Sequence, residues 1–429
     1  MRMEHVPRLL ADVTPLRVSV PYRRLWSGAF LSGIGTHLTT TAVGLQVYEV
    51  TGSTFSVGLV GLFALVPLVA MGLYGGSVVD AHDRRTVVVL STTGTFAVAV
   101  LLTLQSWADL RSVWVLYLLV AVQNGLFGIN QPARTTIMPR ILPPELMPAA
   151  NALGSLTMGT GLMIGPLLAA VLIDRVGYTA AYAVESALLV VTLVLLVGLP
   201  SVPPQGQTSP PGLRSVVEGL RYLGTRPNVR MTFLVDLGAM ILGMPRVLFP
   251  AIGAALIGGG AFTVGVLSAG LAAGTVLAGL LSGPLGHVRY QGRAVVLAVL
   301  SWGTWVAAFG VVVALAPGPP PGGGPHWTIW PAAACLAAAG ASDTVSAVFR
   351  TTILQTATPD SMRGRLQGVF IVGVAGGPRL GDLVLGTLGD LTTEAWAAIA
   401  GGLAVLVVTV LLAVRQPRFW AYDARAPQP

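Results

Sequence analysis

Five charged side chains interrupt stretches that are otherwise apolar, and they are the residues best suited to chemistry in this chain. They are Asp236, Arg246, Asp343, Arg379 and Asp382. Holding a charge at the centre of a lipid-spanning helix costs about 2.5–3.5 kcal/mol on insertion scales, so each charge needs a reason to be there. A desolvated carboxyl group near an arginine is able to take up and release a proton. The pattern predicts side chains that bind and release protons.

The spacing of these residues gives two different expectations. Arg379 and Asp382 stand three residues apart, so they share a helix face and are able to neutralise each other. Asp236 and Arg246 are ten residues apart, about 15 Å along an ideal helix, so they need partners from other helices. The alternatives for all five residues are ion pairs that pin helices together, or positions close enough to the membrane surface to stay hydrated. Glu49 and Glu185 are assigned no role.

Composition places the chain in a membrane. Of its 429 residues, 54% are hydrophobic and 10% are charged, against about a quarter charged in an ordinary soluble domain. Apolar stretches of about 20 residues recur, each long enough to cross a hydrocarbon layer of roughly 30 Å as a helix. The alternating segments of an outer-membrane barrel do not occur. We therefore predict an all-α membrane protein.

Other features exclude several classes of function. All 25 basic residues are arginine, so no lysine is present for a Walker A loop or for a Schiff base. Cys335 is the only cysteine, and the five histidines lack metal-ligand spacing, which predicts neither a metal site nor any other cofactor. The net charge of +8 is read as a sign of membrane orientation and not of a nucleic-acid partner.

Twelve transmembrane helices are predicted, in two pseudo-symmetric six-helix bundles. The predicted windows are 26–49, 55–79, 86–107, 112–134, 148–173, 178–199, 230–255, 262–286, 294–315, 328–350, 366–388 and 392–414. The predicted division of the chain is an N-terminal segment 1–25, a bundle 26–199, a linker 200–229, a second bundle 230–414 and a tail 415–429. Residues 1–25 contain no apolar core of a signal peptide.

The arginines predict the orientation in the membrane. Loops that stay in the cytoplasm carry an excess of positive charge. The two termini and the alternate loops on their side hold 21 of the 25 arginines, whereas the opposite loops hold Arg111 and Arg175. Both termini are therefore expected in the cytoplasm.

An internal duplication supports the division into two halves. Arg134-Thr-Thr-Ile137 recurs as Arg350-Thr-Thr-Ile353, a shift of 216 residues. At the same shift Gly165 matches Gly381. Homologous halves of six helices predict a substrate site near the middle of the bilayer, at the interface between them.

The loop after the second predicted helix has a recognisable pattern. Residues 75–85 read GGSVVDAHDRR, which resembles the G-x-x-x-D-R-x-G-R-R signature of the major facilitator superfamily. The resemblance implies a secondary transporter in which this loop helps to hold one conformation at the cytoplasmic face. A plain solvated turn is the alternative. With the duplicated arginines, the expected cytoplasmic gate motif comprises Gly76, Asp80, Arg84, Arg85, Arg134 and Arg350.

The fifth predicted helix carries a run of small residues. Gly161, Gly165 and Pro166 occur in GLMIGPLLAA, which resembles the G-x-x-x-G-P-x-x-G-G motif of proton-coupled exporters, with alanines at the last two glycine positions. Small residues at four-residue spacing permit close helix packing, and Pro166 removes one backbone hydrogen bond. We expect either a helix that rocks during export or an ordinary packing face.

A closer resemblance covers most of the chain and is strongest from about 215 to 390. GLRYL at 219–223, RVLFPA at 246–251 and ILQTATPDSMRGRLQG at 353–368 resemble the bacterial siderophore exporters that include the enterobactin exporter. The resemblance implies proton-driven export, from a bacterial inner membrane, of a siderophore or similar amphipathic compound. It also implies that helices one, four, seven and ten line the cavity, which directs Asp236, Arg246 and Asp343 at the transport path.

Two other readings remain open. A multidrug or general metabolite exporter of the same superfamily fits the same helices. A membrane-embedded enzyme or sensor is the more distant alternative, but Gly340-Ala-Ser342-Asp lacks the closing glycine of a nucleophile elbow. The expected partners are a small-molecule substrate, protons and the lipid bilayer, with the protein working as a monomer.

Overall fold

The computed structural model describes residues 12–203, 213–282, 285, 288–321, 323–358, 360–426 and 428. In these residues the regular structure is helical, and no strand occurs. Twelve long helices follow one another along the chain. In the first half they are α1 (Val20–Thr51), α2 (Thr54–Ala81), α3 (Arg84–Trp107), α4 (Val113–Ile141), α5 (Met147–Arg175) and α6 (Tyr178–Val197).

The second half repeats this number of helices. They are α7 (Pro227–Gly243, continued by short helical turns to Leu256), α8 (Gly260–Leu280), α9 (Gln291–Ala314), α10 (Ile329–Thr356), α11 (Asp360–Leu391) and α12 (Glu394–Arg415). Shorter helical segments outside this set include Thr14–Val18, Pro144–Leu146, Leu213–Thr225 and Pro417–Trp420. The prediction of twelve helices in a major facilitator arrangement is confirmed.

Ten of the twelve helices are long and apolar enough to span a bilayer over their described residues. The exceptions are α1 and α11. The middle of α1 contains a polar run from Thr36 to Thr41, and α11 carries Arg379 and Asp382. Helices that carry such groups face the protein interior rather than lipid, because lipid offers no partner for a polar group.

Local sequence accounts for several helix starts. Ser53 accepts a hydrogen bond from the Ser56 amide at 3.1 Å and so caps α2, and Thr393 does the same for α12 by accepting from the Trp396 amide at 3.3 Å. A side-chain oxygen at this position satisfies one of the amides that a helix leaves without a partner. The apolar stretches therefore begin as helices where the sequence places a hydroxyl residue.

The first and last described stretches, 12–19 and 416–426, lie at one end of the molecule, which we call the terminal face. At this face the Ser19 hydroxyl donates to the Ile141 carbonyl at 2.9 Å, and Arg289 pairs with Asp423 at 2.7 Å. The other end, the opposite face, contains the connections 52–53, 108–112, 176–177, 257–259, 315–328 and 392–393.

The two halves meet along two pairs of helices. Helix α2 packs along α11, and α5 packs along α8. Glycines make the first contact close, since a Cβ atom at Gly58 would lie 2.5 Å from the Asp382 carbonyl oxygen and one at Gly386 would lie 2.7 Å from the Thr54 oxygen. Packing of small residues brings backbones together in membranes.

At the opposite face the halves are also joined by polar contacts. Asp390, at the end of α11, accepts from the Ser53 hydroxyl at 2.5 Å and from the Thr54 amide at 2.7 Å. The Thr54 hydroxyl donates to Glu394 at 3.0 Å. An acid at a helix N-terminus is favourable because the exposed amides there carry partial positive charge. We call this set of four residues the opposite-face latch.

Two segments differ from their predicted form. The polar stretch 200–229 contains a helix, Leu213–Thr225, because its apolar residues recur on one helical face. The predicted seventh helix is broken after Gly243: Met244 is extended, Pro245–Leu248 form a 3₁₀ turn, and Ile252–Leu256 form a π-helical turn. Pro245 lacks the amide that a continuous helix would use at that point.

Candidate transport site

The break in α7 places Arg246 beside the other half of the molecule. The 3₁₀ turn that carries it contacts α2 and α11. Arg246 is partly buried and lies close enough to His37 on α1 and to Asp382 on α11 to interact with their charges. Broken helices in transporters expose backbone groups and charges where a substrate binds, so this turn is a natural element of a binding site.

Arg379 and Asp382 lie on α11 at the same depth. Both residues are partly buried and interact electrostatically with each other, as their spacing predicts, and with Arg246. Arg379 also donates to the Asn124 side chain on α4 at 2.8 Å. A Cβ at Gly61 of α2 would lie 3.0 Å from the Arg379 carbonyl oxygen, so this glycine lets α11 approach.

The central cluster is thus formed by groups from four helices. It comprises His37 of α1, Asn124 of α4, Arg246 of α7, and Arg379 and Asp382 of α11. Two guanidinium groups and one carboxyl group leave an excess of positive charge when His37 is neutral. Such a cluster suits a ligand with anionic or phenolic oxygen atoms, because a guanidinium donates hydrogen bonds in a planar fork and stacks on aromatic rings.

The small residues of α5 pack against His37, one member of this cluster. A Cβ at Gly165 would lie 2.6 Å from the His37 Cβ atom, and one at Gly161 would lie 3.2 Å from the His37 ring. The carbonyl oxygen of Pro166 faces Gly265 of α8, where a Cβ would lie 3.3 Å away. The motif therefore packs α5 between α1 of its own half and α8 of the other half.

A second cluster lies nearer the terminal face, between α7 and α10. Arg350 forms an ion pair with Asp236 and lies 3.5 Å from Asp343. The Asp236 and Arg350 side chains are 12% and 8% exposed, whereas that of Asp343 is 43% exposed. Asp236, a coupling candidate from the sequence, is therefore paired with Arg350, a member of the predicted cytoplasmic gate motif. Asp343 is the most exposed member of the cluster.

The duplicated arginine Arg134 has a different setting. Its Nε donates to Asn130 at 2.6 Å, and Asn130 donates to Ser91 at 2.7 Å and to Thr92 at 3.0 Å on α3. These contacts bind α4 to α3 within the N-terminal half. The two RTTI sequences therefore occupy matching positions in the two halves. Among the described contacts, Arg350 has carboxylate partners and Arg134 has none.

The connection between α2 and α3 is organised by Asp83. Asp83 accepts from the Arg85 amide at 2.8 Å and from the Val202 amide at 3.2 Å, and it also accepts from the Ser201 hydroxyl. Arg85 donates to the Val197 carbonyl at 2.5 Å, and the buried Arg84 donates its amide to the Val202 carbonyl at 3.1 Å.

These contacts fasten the connection to the segment that follows α6. Gly76 and Asp80 belong to α2, but their contacts fall outside what the structure describes. Partial burial of Asp83 raises the pKa of its carboxyl group, but the hydrogen bonds from Ser201, Val202 and Arg85 outweigh burial, so that the pKa is lowered from its ordinary value. The acid whose role is visible in this loop is therefore Asp83.

Glu185 is a buried acid that sequence reasoning left without a role. It is fully buried in α6 and accepts from the Thr39 hydroxyl of α1 and from Gln123 of α4, the latter at 3.0 Å. The signal available in the sequence was a lone acid inside the apolar stretch 178–197. In the part of the chain that the structure describes, no three His, Cys, Asp or Glu residues lie close enough to hold a metal ion.

Comparison with known proteins defines the class. The model of a family described as "Transmembrane secretion effector" matches residues 10–428. The chain belongs to this family, and it is a multi-pass membrane transporter of the major facilitator superfamily and not an enzyme. A transporter of this kind binds small molecules within the membrane.

Individual relatives and solved structures show which known transporters this chain is similar to. The chain is 29% identical over 406 residues to "Enterobactin exporter EntS" of Shigella boydii serotype 18, covering 94% of this chain and 93% of the relative. The protein of the same name from Escherichia coli O139:H28 matches equally well. Among solved structures, a mutant of the nucleoside transporter NupG has a TM-score of 0.74 at 14% identity, covering 92% of this chain and 99% of that one. A POT family transporter in complex with 5-aminolevulinic acid has a TM-score of 0.72 at 11% identity, covering 94% and 97%.

Proposed function

We propose that this protein is a proton-coupled exporter of a catecholate siderophore or a similar amphipathic small molecule in the bacterial inner membrane. The observation that carries the proposal is the similarity to enterobactin exporters over 94% of the chain. The central cluster supports it. Two arginines suit the adjacent oxygen atoms of a catechol, and their guanidinium planes suit its aromatic ring.

Export works by alternating access of the two halves. Residues 26–199 and 230–414 are the moving bundles, residues 200–229 connect them, and the monomer is the working unit. The arginine distribution favours a cytoplasmic terminal face. With the opposite-face latch closed, the central cluster is then loaded from the cytoplasm, and release requires the latch to break.

Proton coupling is assigned to the acids that lie beside arginines. Asp236 is paired with Nη1 of Arg350, and the half-buried Asp343 lies 3.5 Å from Nη2 of the same guanidinium. A proton on either acid removes the charge that Arg350 balances, so Arg350 is able to shift between the two acids. Asp382, between Arg246 and Arg379, is the second candidate, because its charge alters how strongly the cluster binds an anionic ligand.

The experiment is secretion of iron-chelating metabolites, measured by mass spectrometry of medium and cells in iron-poor culture. It compares a strain lacking the protein, the strain restored with the wild type, and the strain restored with Arg379→Gln. We expect intracellular accumulation and loss from the medium in the first and third strains only. Equal secretion from all three strains, with the protein present in the restored strains, would contradict the siderophore assignment and direct the search to drugs and other metabolites.

A further inference from the structure

The interior of the N-terminal half contains a chain of polar side chains that the central cluster does not use. It begins at Glu185, whose side chain is fully buried between α1, α4 and α6. The two donors to this carboxyl group, Thr39 and Gln123, are both uncharged. On α1 the nearest backbone is that of Gly35, where a Cβ would lie 3.1 Å from the Glu185 Cγ atom. Helix α1 is therefore pressed against an acid that has no cation among its described contacts.

The chain continues from Glu185 toward the opposite face. Tyr182 lies three residues before Glu185, about one helical turn away on the same face of α6, and is fully buried. Its hydroxyl donates to Gln46 of α1 at 2.7 Å. Gln46 and Gln105 of α3 exchange hydrogen bonds of 3.1 and 3.4 Å. All three of these side chains are buried in an otherwise apolar interface.

The chain reaches the surface one turn further on. The Tyr178 hydroxyl donates to the exposed Glu49 at 2.7 Å. Ser106 and Thr179 share a hydrogen bond of 2.9 Å. These groups line a surface depression whose lining also includes Gln46, so the depression at the opposite face reaches one of the two buried glutamines. We call Glu49, Tyr178, Gln46, Gln105 and Tyr182 the polar seam.

Glu185 is fully buried, and its described hydrogen-bond donors are uncharged, so none of these contacts supplies a positive charge to balance an ionised carboxyl group. The titratable groups that face the seam are Tyr178 and Tyr182 from α6 and Glu49 from α1, with Asp109 and Arg111 paired at its mouth. Helices α3 and α4 contribute the neutral amides Gln105 and Gln123. His37 of α1 is directed at Gly161 and Gly165 of α5, away from this interface.

We propose that Glu185 is a proton-binding site of the N-terminal half, loaded from the opposite face through the polar seam and separate from the substrate path. A proton from the external solution adds to a carboxylate oxygen of Glu185 and forms an O–H group. The same proton leaves to the cytoplasmic side when the halves rearrange. Polar groups along a helix interface lower the cost of admitting water and a proton to it.

A link to the substrate site is provided by neighbouring residues of α4. Gln123 donates to Glu185, while Asn124 accepts from Arg379 of the other half. A protonated Glu185 has an O–H group that can donate a hydrogen bond to the Thr39 hydroxyl. A hydroxyl oxygen is able to accept such a bond. The hydrogen bonds that hold α1 and α4 to α6 are thereby exchanged, and the position of Asn124 against Arg379 changes with them. This inference rests on the proton coupling in the proposed function.

Infrared spectroscopy of the purified protein in lipid nanodiscs tests the site without a substrate. We expect the carbonyl stretch of protonated carboxyl groups to titrate with pH in the wild type and to lose one component in Glu185→Gln, which keeps the shape of the side chain. Glu145→Gln, at an exposed acid of the terminal face, is the matched control and should retain the band. A full band in Glu185→Gln would overturn the proposal.

The seam is tested by the rate at which this band appears after a rapid drop in pH. Gln105→Leu should slow its appearance by about tenfold, the effect expected when one polar contact is removed from the path. An unchanged rate would show that protons do not reach Glu185 through the polar seam.

Enterobactin transport is measured on the same proteins. If wild-type transport does not depend on a proton gradient, the proposed function is contradicted, but the assignment of the infrared band to Glu185 still stands. The two failures are therefore distinguishable.

Discussion

The side chain of Arg379 donates from Nη2 to Oδ1 of Asn124 at 2.8 Å, and this bond joins the two halves of the molecule. Arg379 lies on α11 between the α2 glycines and the broken helix α7, so a charge that is costly in lipid finds polar partners from other helices. The contact ties the binding cluster directly to the relative position of the halves. Substrate that competes for Arg379 therefore weakens a contact between them.

Removing this contact should change transport more than folding. A hydrogen bond to a charged group contributes about 1.5–3 kcal/mol, so Asn124→Ala should lower the transport rate by about tenfold or more. Asn151→Ala, at an exposed position of α5, is the control and should transport normally. The measurement is substrate uptake into everted vesicles with equal amounts of each protein in the membrane. Equal rates in both variants would contradict a role for Asn124.

The opposite-face latch should set the balance between conformations. Asp390→Ala removes the acceptor for both the Ser53 hydroxyl and the Thr54 amide, so the state open at the opposite face should gain population. Spin labels at Thr135 and Thr351, exposed positions of α4 and α10 related by the internal duplication, report the width of the terminal face. We expect a larger population of short distances in Asp390→Ala.

The matched control for the latch is Asp109→Asn. Asp109 lies at the same face, but its described ion pair is with Arg111, two residues away, and joins nothing between the halves. Its distance distribution should equal that of the parent protein. If Asp390→Ala also gives the distance distribution of the parent protein, the latch does not hold the conformation.

Glycine packing on α5 gives a prediction with an internal control. A Cβ at Gly165 would lie 2.6 Å from the His37 Cβ atom and 2.9 Å from the Leu38 amide nitrogen, whereas one at Gly154 meets nothing within 4 Å. Gly165→Ala should lower the free energy of unfolding by about 1–3 kcal/mol, the usual cost of overpacking. Gly154→Ala should have little effect. Thermal unfolding in detergent measures both, and equal midpoints would contradict the close approach of α5 and α1.

Asp83 predicts a pH dependence of stability at the terminal face. Its pKa is lowered in the folded protein by hydrogen bonds from Ser201, Val202 and Arg85, which outweigh the effect of burial. A lowered pKa means that ionised Asp83 stabilises the fold above its unfolded pKa of about 3.9, and that this contribution is lost as the pH falls through the folded value. Wild type should therefore exceed Asp83→Asn in thermal stability near neutral pH.

This difference should shrink as the pH falls from about 4 through the lowered folded pKa of Asp83, because only below that value do both folded proteins carry a neutral side chain. Unfolding midpoints measured from neutral to acidic pH provide the comparison. A difference that stays constant over the whole range would contradict an ionised Asp83 as the cause.

Sequence alone was sufficient for the architecture because apolar length and the duplication are properties of the chain itself. The position of Arg134 and Arg350 at matching points of the two halves follows from a shift of 216 residues. The break in α7 was not foreseen, although Pro245 and Gly243 are visible in the sequence. A proline in a membrane helix is compatible with either a bend or a break, and neighbouring helices decide between them.

The candidate site was only partly accessible from sequence. The need of Asp236 for a partner from another helix could be predicted, but the choice of Arg350 depends on how α7 and α10 cross. Glu185 gave one weak signal, a lone acid in an apolar helix. Its connection to Thr39 and Gln123 arises from three helices that are distant in sequence, and spacing along one helix contains no information on such contacts.

The most direct test of proton-coupled export is accumulation of radiolabelled enterobactin in everted membrane vesicles whose interior is acidified. Because the terminal face is expected to point outward in such vesicles, wild-type protein should concentrate enterobactin inside, and a protonophore should abolish the accumulation. Asp236→Asn should equilibrate the substrate without concentrating it. Accumulation that persists after the proton gradient is collapsed, or that is the same in vesicles without the protein, would contradict proton-coupled export of this substrate.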